Sequence, residues 1–293
     1  MTTAAISDDP PRPEAQVWIN GSLRTEGNSG ISPFDHGLLT GDGVFETLRI
    51  YGGTPFAVRR HLERLAASAT GMGLAVPDAE VLRRAMAQVI EANALSEGRM
   101  RITLTAGPGP MASDRADLKP TLMVACGPAS GGLPAKSGPA SVDVVMAPWP
   151  RHERGALAGI KSISYGENVL ALAYAQARNA GEAILANTVG NLCEGTGSNL
   201  FVAIGGRLYT PPLSAGCLAG VTRALVCEAV NVAQEDVPAD ALAGVEEAFL
   251  TSSTREIQPI RAVDGTAFPL VAGPLTTAAA LAFADVMAAD VDP

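Results

Sequence analysis

The sequence predicts an α+β protein built in two halves. Three observations carry this. Short alternating apolar segments closed by Gly-rich turns are interleaved with segments of helical period. A run of Gly, Pro, Ala and Ser, "GPASGGLPAKSGPA" at 127–140, interrupts the pattern midway. The 293 residues are 47% hydrophobic and 17% charged, enough for one large or two medium cores and unlike a disordered chain. The expected division is a mobile tail over 1–15, an N-terminal α/β domain over 16–130, a linker over 131–140 and a C-terminal domain over 141–293.

The elements follow in order. "QVWINGSLR" alternates around Asn20-Gly21 and reads as a hairpin. "GVFETLRIYGGTPFAV" repeats the form: strand, Gly-Gly turn, strand. "RRHLERLAASATGMGL" places Leu62, Leu65, Ala66 and Ala69 at helical spacing and stops near Gly71 and Gly73. "DAEVLRRAMAQVIEANAL" is a second amphipathic helix, and "RMRITLTAG" and "TLMVACG" are strands. Beyond the linker come strand "SVDVVMAP", a helix after Lys161, strands "EAILAN", "NLFVAIGG" and "RLYTPP", helix "VTRALVCEAV", strand "EEAFLTSS" and a terminal helix "LTTAAALAFADVMAAD". "CEGTGSN" between strands reads as a turn.

Composition excludes several functions. The net charge is −9 and the pI about 4.9, which argues against nucleic acid or an anionic membrane as partner. No apolar run is long enough to span a bilayer. Cys126, Cys193, Cys217 and Cys227 lack C-x-x-C spacing, so they read as reduced thiols in a cytoplasmic protein. The acidic, Pro-rich start is not a signal peptide. His36, His61 and His152 show no ligand spacing, and Asp35, Asp42 and Glu46 read as turn and strand-edge residues, so no metal is expected.

Chemistry concentrates elsewhere. Lys161, in a chain with few lysines, ends an apolar stretch; lost hydration would lower its pKa and make the amine a nucleophile. On spacing alone it reads first as a surface lysine paired with Glu167 or a neighbour. Glu194 in "CEGTGSN" could hold a protonated ring nitrogen, or be a solvated turn residue. Gly220 precedes Thr222, which can N-cap a helix whose free N–H groups would seat a phosphate. Arg64 offers a bidentate fork for the same anion, or pairs with Glu63 or Asp78. The hydroxyls of "TSST" at 251–254 stand at a strand end.

These elements, taken in order, resemble the fold type IV pyridoxal-phosphate family, which holds branched-chain aminotransferases, D-amino acid aminotransferases and 4-amino-4-deoxychorismate lyases. The resemblance rests on "FDHGLLTGDGVFETLRIYGGTPFAVRRHLERLAASA", "IKSISYGENVLALAYAQARNAGEAIL", "LCEGTGSNLFV", "LYTPPLSAGCLAGVTRALV" and "EEAFLTSSTREIQPI", and runs from about Val17 to about Val263. It implies two α/β domains of the D-amino acid aminotransferase-like type with pyridoxal 5'-phosphate between them, and a homodimer. It also implies roles. Lys161 resembles the Schiff-base lysine, Glu194 the partner of the pyridine nitrogen, and Arg64, Val221, Thr222 and Ser253 the phosphate seat. Ser198 and Asn199 would lie in the turn beside the ring. Tyr165 would reach the ring hydroxyl, one place nearer the lysine than in branched-chain enzymes.

Strand alternation puts Phe45, Thr47 and Arg49 on one face, which the resemblance turns toward a small-molecule amino substrate. D-amino acid aminotransferases usually carry Tyr where Phe45 stands and an Arg-x-His trap that "TLTAGPGPMASDR" lacks. Branched-chain enzymes typically carry Gly where Thr47 stands. "F-x-T-x-R" and "KSISYGENVLA" resemble the actinobacterial lyases instead. The expected reaction is therefore cleavage of 4-amino-4-deoxychorismate to p-aminobenzoate and pyruvate. Lys161 would move the proton, Thr47 would assist the leaving group and Arg49 would bind a carboxylate; Arg151 and Arg154 are weaker carboxylate candidates. The alternative is an aminotransferase for branched-chain or other apolar amino acids with 2-oxoglutarate, and a third is a non-catalytic binding protein on the same fold.

Overall fold

Alternation along Gly43–Tyr51 organises the first half. Val44, Leu48 and Ile50 point to one side and meet Leu62, Leu65 and Ala69 of one helix and Leu82, Ala85, Met86 and Val89 of another. The computed structural model describes residues 14–115, 119–128 and 140–293. Its first sheet has six strands: β1 (Gln16–Ile19), β2 (Ser22–Thr25), β3 (Gly43–Tyr51), β4 (Thr54–Pro55), β5 (Gly98–Thr105) and β6 (Thr121–Gly127), in the order β2-β1-β6-β5-β3-β4. The short α1 (His36–Leu39) precedes β3. Helices α2 (Val58–Gly71) and α3 (Ala79–Ala92) cover one face. Asp78 caps α3, accepting from the N–H groups of Glu80 and Val81 at 2.7 and 3.1 Å. It is therefore engaged away from Arg64.

The second half folds around β7 (Val142–Met146), β8 (Glu182–Ala186), β9 (Leu192–Gly195), β10 (Asn199–Ile204), β11 (Arg207–Thr210), β12 (Ala233–Gln234), β13 (Glu247–Ser252), β14 (Glu256–Val263) and β15 (Thr266–Ala267). The path runs β12-β11-β10-β13-β14-β7-β8-β9, and a β9–β10 contact at Glu194 and Asn199 closes six of these strands into a ring. Leu200, Val202, Leu250, Ile260 and Ile184 fill one core. On the other side, Phe201 and Phe249 stack at 4.7 Å beneath α5 (Val221–Ala229) and α6 (Pro274–Ala289). Helix α4 (Gly166–Gln176) packs on β8.

The halves are joined by packing and by hydrogen bonds. Phe56 meets Phe283 edge-on at 6.0 Å, and the Ala57 N–H donates to the Val291 carbonyl at 2.8 Å. Arg59 and Arg60 both donate to the Pro293 carbonyl, and Arg60 pairs with Glu228.

The hairpin stands at Asn20-Gly21, both with positive φ. Three readings need correction. β14 is an eight-residue strand inside the second sheet that the sequence did not declare: Pro259 interrupts the apolar pattern and Glu256 enters at φ 56°. "CEGTGSN" is not a single turn, because Glu194 belongs to β9 and Asn199 opens β10. The N-cap of α5 is Gly220; Thr222 already lies inside the helix. The last strand of the first sheet ends at Gly127 and the first of the second begins at Val142. The expected linker over 131–140 lies outside the described residues except Ala140, and the expected tail does so over 1–13. Of that tail, Glu14 and Ala15 are tied down, accepting from the N–H groups of Gly27 and Glu26.

Candidate active site

A cavity of about 550 Å³ opens where the start of β3 meets the second sheet. Lys161 enters it from an extended segment, not a helix. The Phe45 N–H donates to the Lys161 carbonyl, the Ile163 N–H donates to the Gly43 carbonyl, and Val44 bridges Ser162. The Lys161 N–H donates to Ser68 Oγ at 3.2 Å. Backbone bonds thus fix the lysine while its side chain is free to act.

The amine lies 4.4 Å from the centre of the Phe45 ring. Burial, and then the Arg64 guanidinium, push its pKa down to about 8. One result follows for the protein freed of any cofactor. Its reaction with a small aldehyde should rise with pH to about 8 and level off above it, whereas an ordinary lysine keeps rising toward 10.5. Mass mapping of adducts against pH reads this directly; a rate still climbing above pH 9 (roughly one unit past the shifted value) would contradict it. The surface-lysine alternative is excluded by partners too, since Glu167 is paired with Arg151.

Glu194 is buried on β9. Its Oε2 accepts from the Leu218 N–H at 2.9 Å, and Arg151 Nε stands 3.4 Å from Oε1. Burial raises its pKa against the opposing pull of Arg151. Tyr165 meets Phe45 edge-on at 5.3 Å and its hydroxyl donates to the Thr196 carbonyl at 3.1 Å. Burial, and then Glu194, push that phenol up to about 12. Ser198 reaches Glu182 at 3.4 Å. Asn199 Nδ2 donates to the Leu218 carbonyl, and a Cβ on Gly220 would fall 1.9 Å from Asn199 Oδ1. Glycine is required there, and it brings the start of α5 against the cavity.

At that start the first bond back into the helix runs from Ala224 N–H to the Gly220 carbonyl, so the amides of Val221 and Thr222 lie ahead of it. Arg64 Nη1 donates to the Ala219 carbonyl at 2.9 Å. The rest of its fork grips Glu46: Nε to Oε1 and Nη2 to Oε2, both 2.7 Å. Thr251 completes the wall. The residue is 1% exposed, and its hydroxyl has no hydrogen-bond partner among the described residues.

Phe45, Thr47, Arg64, Lys161, Tyr165, Glu194, Ser198, Asn199, Val221, Thr222 and Ser253 all line this one cavity. Arg49 does not. It lies about 13 Å along β3 from Phe45, 2% exposed, 3.6 Å from Glu97 and 5.2 Å from the centre of the Tyr51 ring. On this sheet the cation that lines the cavity in its place is Arg101, the cross-strand partner of Thr47, with its guanidinium 3.8 Å from the Phe45 ring centre. Register between β3 and β5 decides this, and local sequence does not reveal it. Arg151 lines the cavity but spends its fork on Glu167 and Glu194; Arg154 points to solvent beside Glu153. Glu46 is no strand-edge residue, since it is fully buried between Arg64 and His61. Among the described residues no cluster could hold a metal ion, and no helix is long and apolar enough to cross a membrane.

Comparison with known proteins bears on the family and the fold. Residues 43–263 match the family described as amino-transferase class IV. The chain is 32% identical to a D-alanine aminotransferase of Bacillus licheniformis, over 89% of this chain and 93% of the relative. It is 29% identical to an aminodeoxychorismate lyase of Bacillus subtilis, over 91% and 93%. A solved branched-chain aminotransferase from Thermoproteus uzoniensis, with norvaline, superposes with a TM-score of 0.86 at 30% identity, covering 94% of this chain and 95% of that one.

Proposed function

The chain belongs to the class IV aminotransferases, enzymes that use pyridoxal phosphate, and on that premise we propose that it is a lyase that cleaves 4-amino-4-deoxychorismate to p-aminobenzoate and pyruvate. The observation that carries this reading is Thr47. Its side chain lines the cavity directly across from Arg101, so a hydroxyl and a guanidinium fork stand side by side on the face that bears Phe45, whose ring the Lys161 amine approaches at 4.4 Å.

The residues present fit the cofactor. Glu194 is a buried carboxyl with a raised pKa, a cost that a protonated ring nitrogen placed against it would remove. The unpartnered Thr251 hydroxyl, the leading amides of α5, Arg64 and Ser253 offer donors to a phosphate. Lys161 would carry the cofactor, Tyr165 would face the ring hydroxyl, and Ser198 and Asn199 would flank the ring. Bound there, pyridoxal phosphate supplies an electron sink.

The chain's own groups do the rest. Arg101 binds a substrate carboxylate and, with Phe45, orients the ring. The Lys161 amine takes the proton from the carbon that bears the substrate amine, a task its lowered pKa suits near neutral pH. Thr47 relays to the departing enol oxygen the proton that Lys161 has taken, so that neither side chain is left changed.

Two expectations follow. Arg101→Ala raises KM for the carboxylated substrate by about 10–100-fold, the worth of a hydrogen bond to a charged group, with kcat little changed; equal loss in kcat would move Arg101 out of substrate binding. The reaction itself is tested by incubating the cofactor-loaded protein with 4-amino-4-deoxychorismate and no oxo acid. Catalytic formation of p-aminobenzoate and pyruvate is expected. No product, together with transfer of an amino group from a branched-chain amino acid to 2-oxoglutarate, would replace the reading by the aminotransferase, which branched-chain relatives support. The proposal includes the cytoplasm, in keeping with four free thiols, and a homodimer. Phe34, Leu38 and Met111 are exposed where the segment leading into α1, α1 itself and the 108–111 loop meet, an apolar surface that a second copy would cover. Sedimentation as a monomer would remove that part.

A further inference from the structure

Behind the cavity lies a buried chain of polar groups that the reaction does not use directly. Glu46, at the centre of β3, is 0% exposed and holds two residues of α2 at once. One is Arg64. The other is His61, 1% exposed, whose Nδ1 stands 2.7 Å from Glu46 Oε2. The far side of the same imidazole, Nε2, stands 3.4 Å from Ser253 Oγ, and Ser253 lines the cavity in the turn between β13 and β14. The relay therefore runs Glu46, His61, Ser253, and ends at the cavity wall.

We propose that His61 is a positioning residue that turns the Ser253 hydroxyl toward the phosphate of the cofactor, and takes up a proton as that phosphate binds. The inference rests on the pyridoxal-phosphate reading of the cavity. Its logic is the direction of one hydroxyl. With Nδ1–H donated to Glu46, a neutral His61 has a lone pair at Nε2, so the Ser253 O–H points back at the ring and only oxygen lone pairs face the cavity. Those repel an anion. With His61 protonated, Nε2–H donates to Ser253 Oγ and the hydroxyl proton is free to turn into the cavity and donate to phosphate. One proton moves from solvent to His61; no other bond changes.

The charges around His61 permit both states. Burial opposes the imidazolium most, Glu46 of β3 favours it, and Arg64 of α2 and Lys161 of the neighbouring segment add to the opposition. Glu46 itself stays ionised, since Arg64 and His61 hold it at about 2 even against burial. The balance before binding lies with neutral His61. A phosphate arriving beside Arg64 adds negative charge and shifts it the other way.

The test compares pyridoxal phosphate with pyridoxal, which lacks the phosphate, in titrations of the cofactor-free protein between about pH 6 and 9, the range that brackets histidine. The quantity read is the ratio of the two dissociation constants. In the natural protein that preference for the phosphate ester should be greatest at low pH and shrink as pH rises. Ser253→Ala and His61→Asn should each lower it about tenfold at low pH, as for one charge-assisted hydrogen bond, with a smaller effect at high pH. The double variant should lose no more than either alone. Ionisation of the phosphate itself is common to all four proteins and cancels in the comparison. Equal weakening of both ligands in His61→Asn, an additive double variant, or variants whose pH profile matches that of the natural protein would overturn the relay. Should His61→Asn fail to fold, Ser253→Ala against the natural protein decides alone. A natural protein with no preference for the phosphate ester at any pH would instead overturn the cofactor reading beneath it.

Discussion

Lys161→Ala abolishes turnover, with a fall of about 10⁴-fold or more, since proton transfer by a positioned group is alone worth about 10²–10⁴ and this lysine is also the carrier of the cofactor. The fold survives the change. What anchors residue 161 is backbone: its N–H on Ser68, its carbonyl on the Phe45 N–H, and the Val44–Ser162 bridge beside it. Removing the side chain also removes a buried amine from beside Arg64 and Arg101, which opposed its charge. The variant should therefore denature at least as late as the natural protein while losing cofactor on dialysis. Steady-state turnover and a denaturation curve on the same preparation separate the two claims. Activity retained within about tenfold would remove Lys161 from the chemistry.

Arg64→Ala is expected to have the largest effect on stability. Glu46 has no solvent to fall back on, and Arg64 supplies two of its hydrogen bonds at 2.7 Å. Without that partner, a buried carboxylate is left with His61 alone, at a cost of about 3–5 kcal/mol. Glu46→Gln combined with Arg64→Met should recover part of the loss, because both charges go together. The pH dependence has a definite sign. Glu46 is lowered from 4.5 to about 2 in the folded protein, so its contribution is complete above pH 4.5 and disappears as pH falls toward 2. The natural protein thus has an acid limb in that window, and the double variant lacks this part of it. An Arg64→Ala protein within about 1 kcal/mol of the natural one would show that water reaches Glu46 after all.

These two residues also mark how far the sequence could be read. Local signals were legible: the Asn-Gly hairpin, the helix stop at Gly71, and the isolated lysine before a helix each depend on neighbours within a few positions. Signals set by long-range pairing were not. Glu46 looks like a strand-edge acid because its partners stand 15 and 18 residues away on α2. Arg49 and Arg101 exchange places as the candidate carboxylate fork because β3 runs past the cavity, and only its register with β5 brings Arg101 opposite Thr47. Glu194 carries a turn-like sequence yet sits on β9, where pairing with β8 at Leu185, joined by the bridge to Asn199, makes a strand of residues that read locally as a turn. β14 was hidden by Pro259 for a related reason: its apolar face is broken in sequence and restored by packing between β13 and β7.

The central claim is that Lys161 carries pyridoxal phosphate between the two sheets. The sequence holds only three lysines, Lys119, Lys136 and Lys161, so one measurement resolves it. The cofactor-loaded protein is reduced with borohydride, which fixes the cofactor to the lysine that bears it, then digested and mapped by mass spectrometry. The cofactor mass on the peptide that contains Lys161, and on no other, is the predicted result. The same mass on a peptide holding Lys119 or Lys136, or a protein that takes up no cofactor, would contradict the assignment of the cavity and every role built on it.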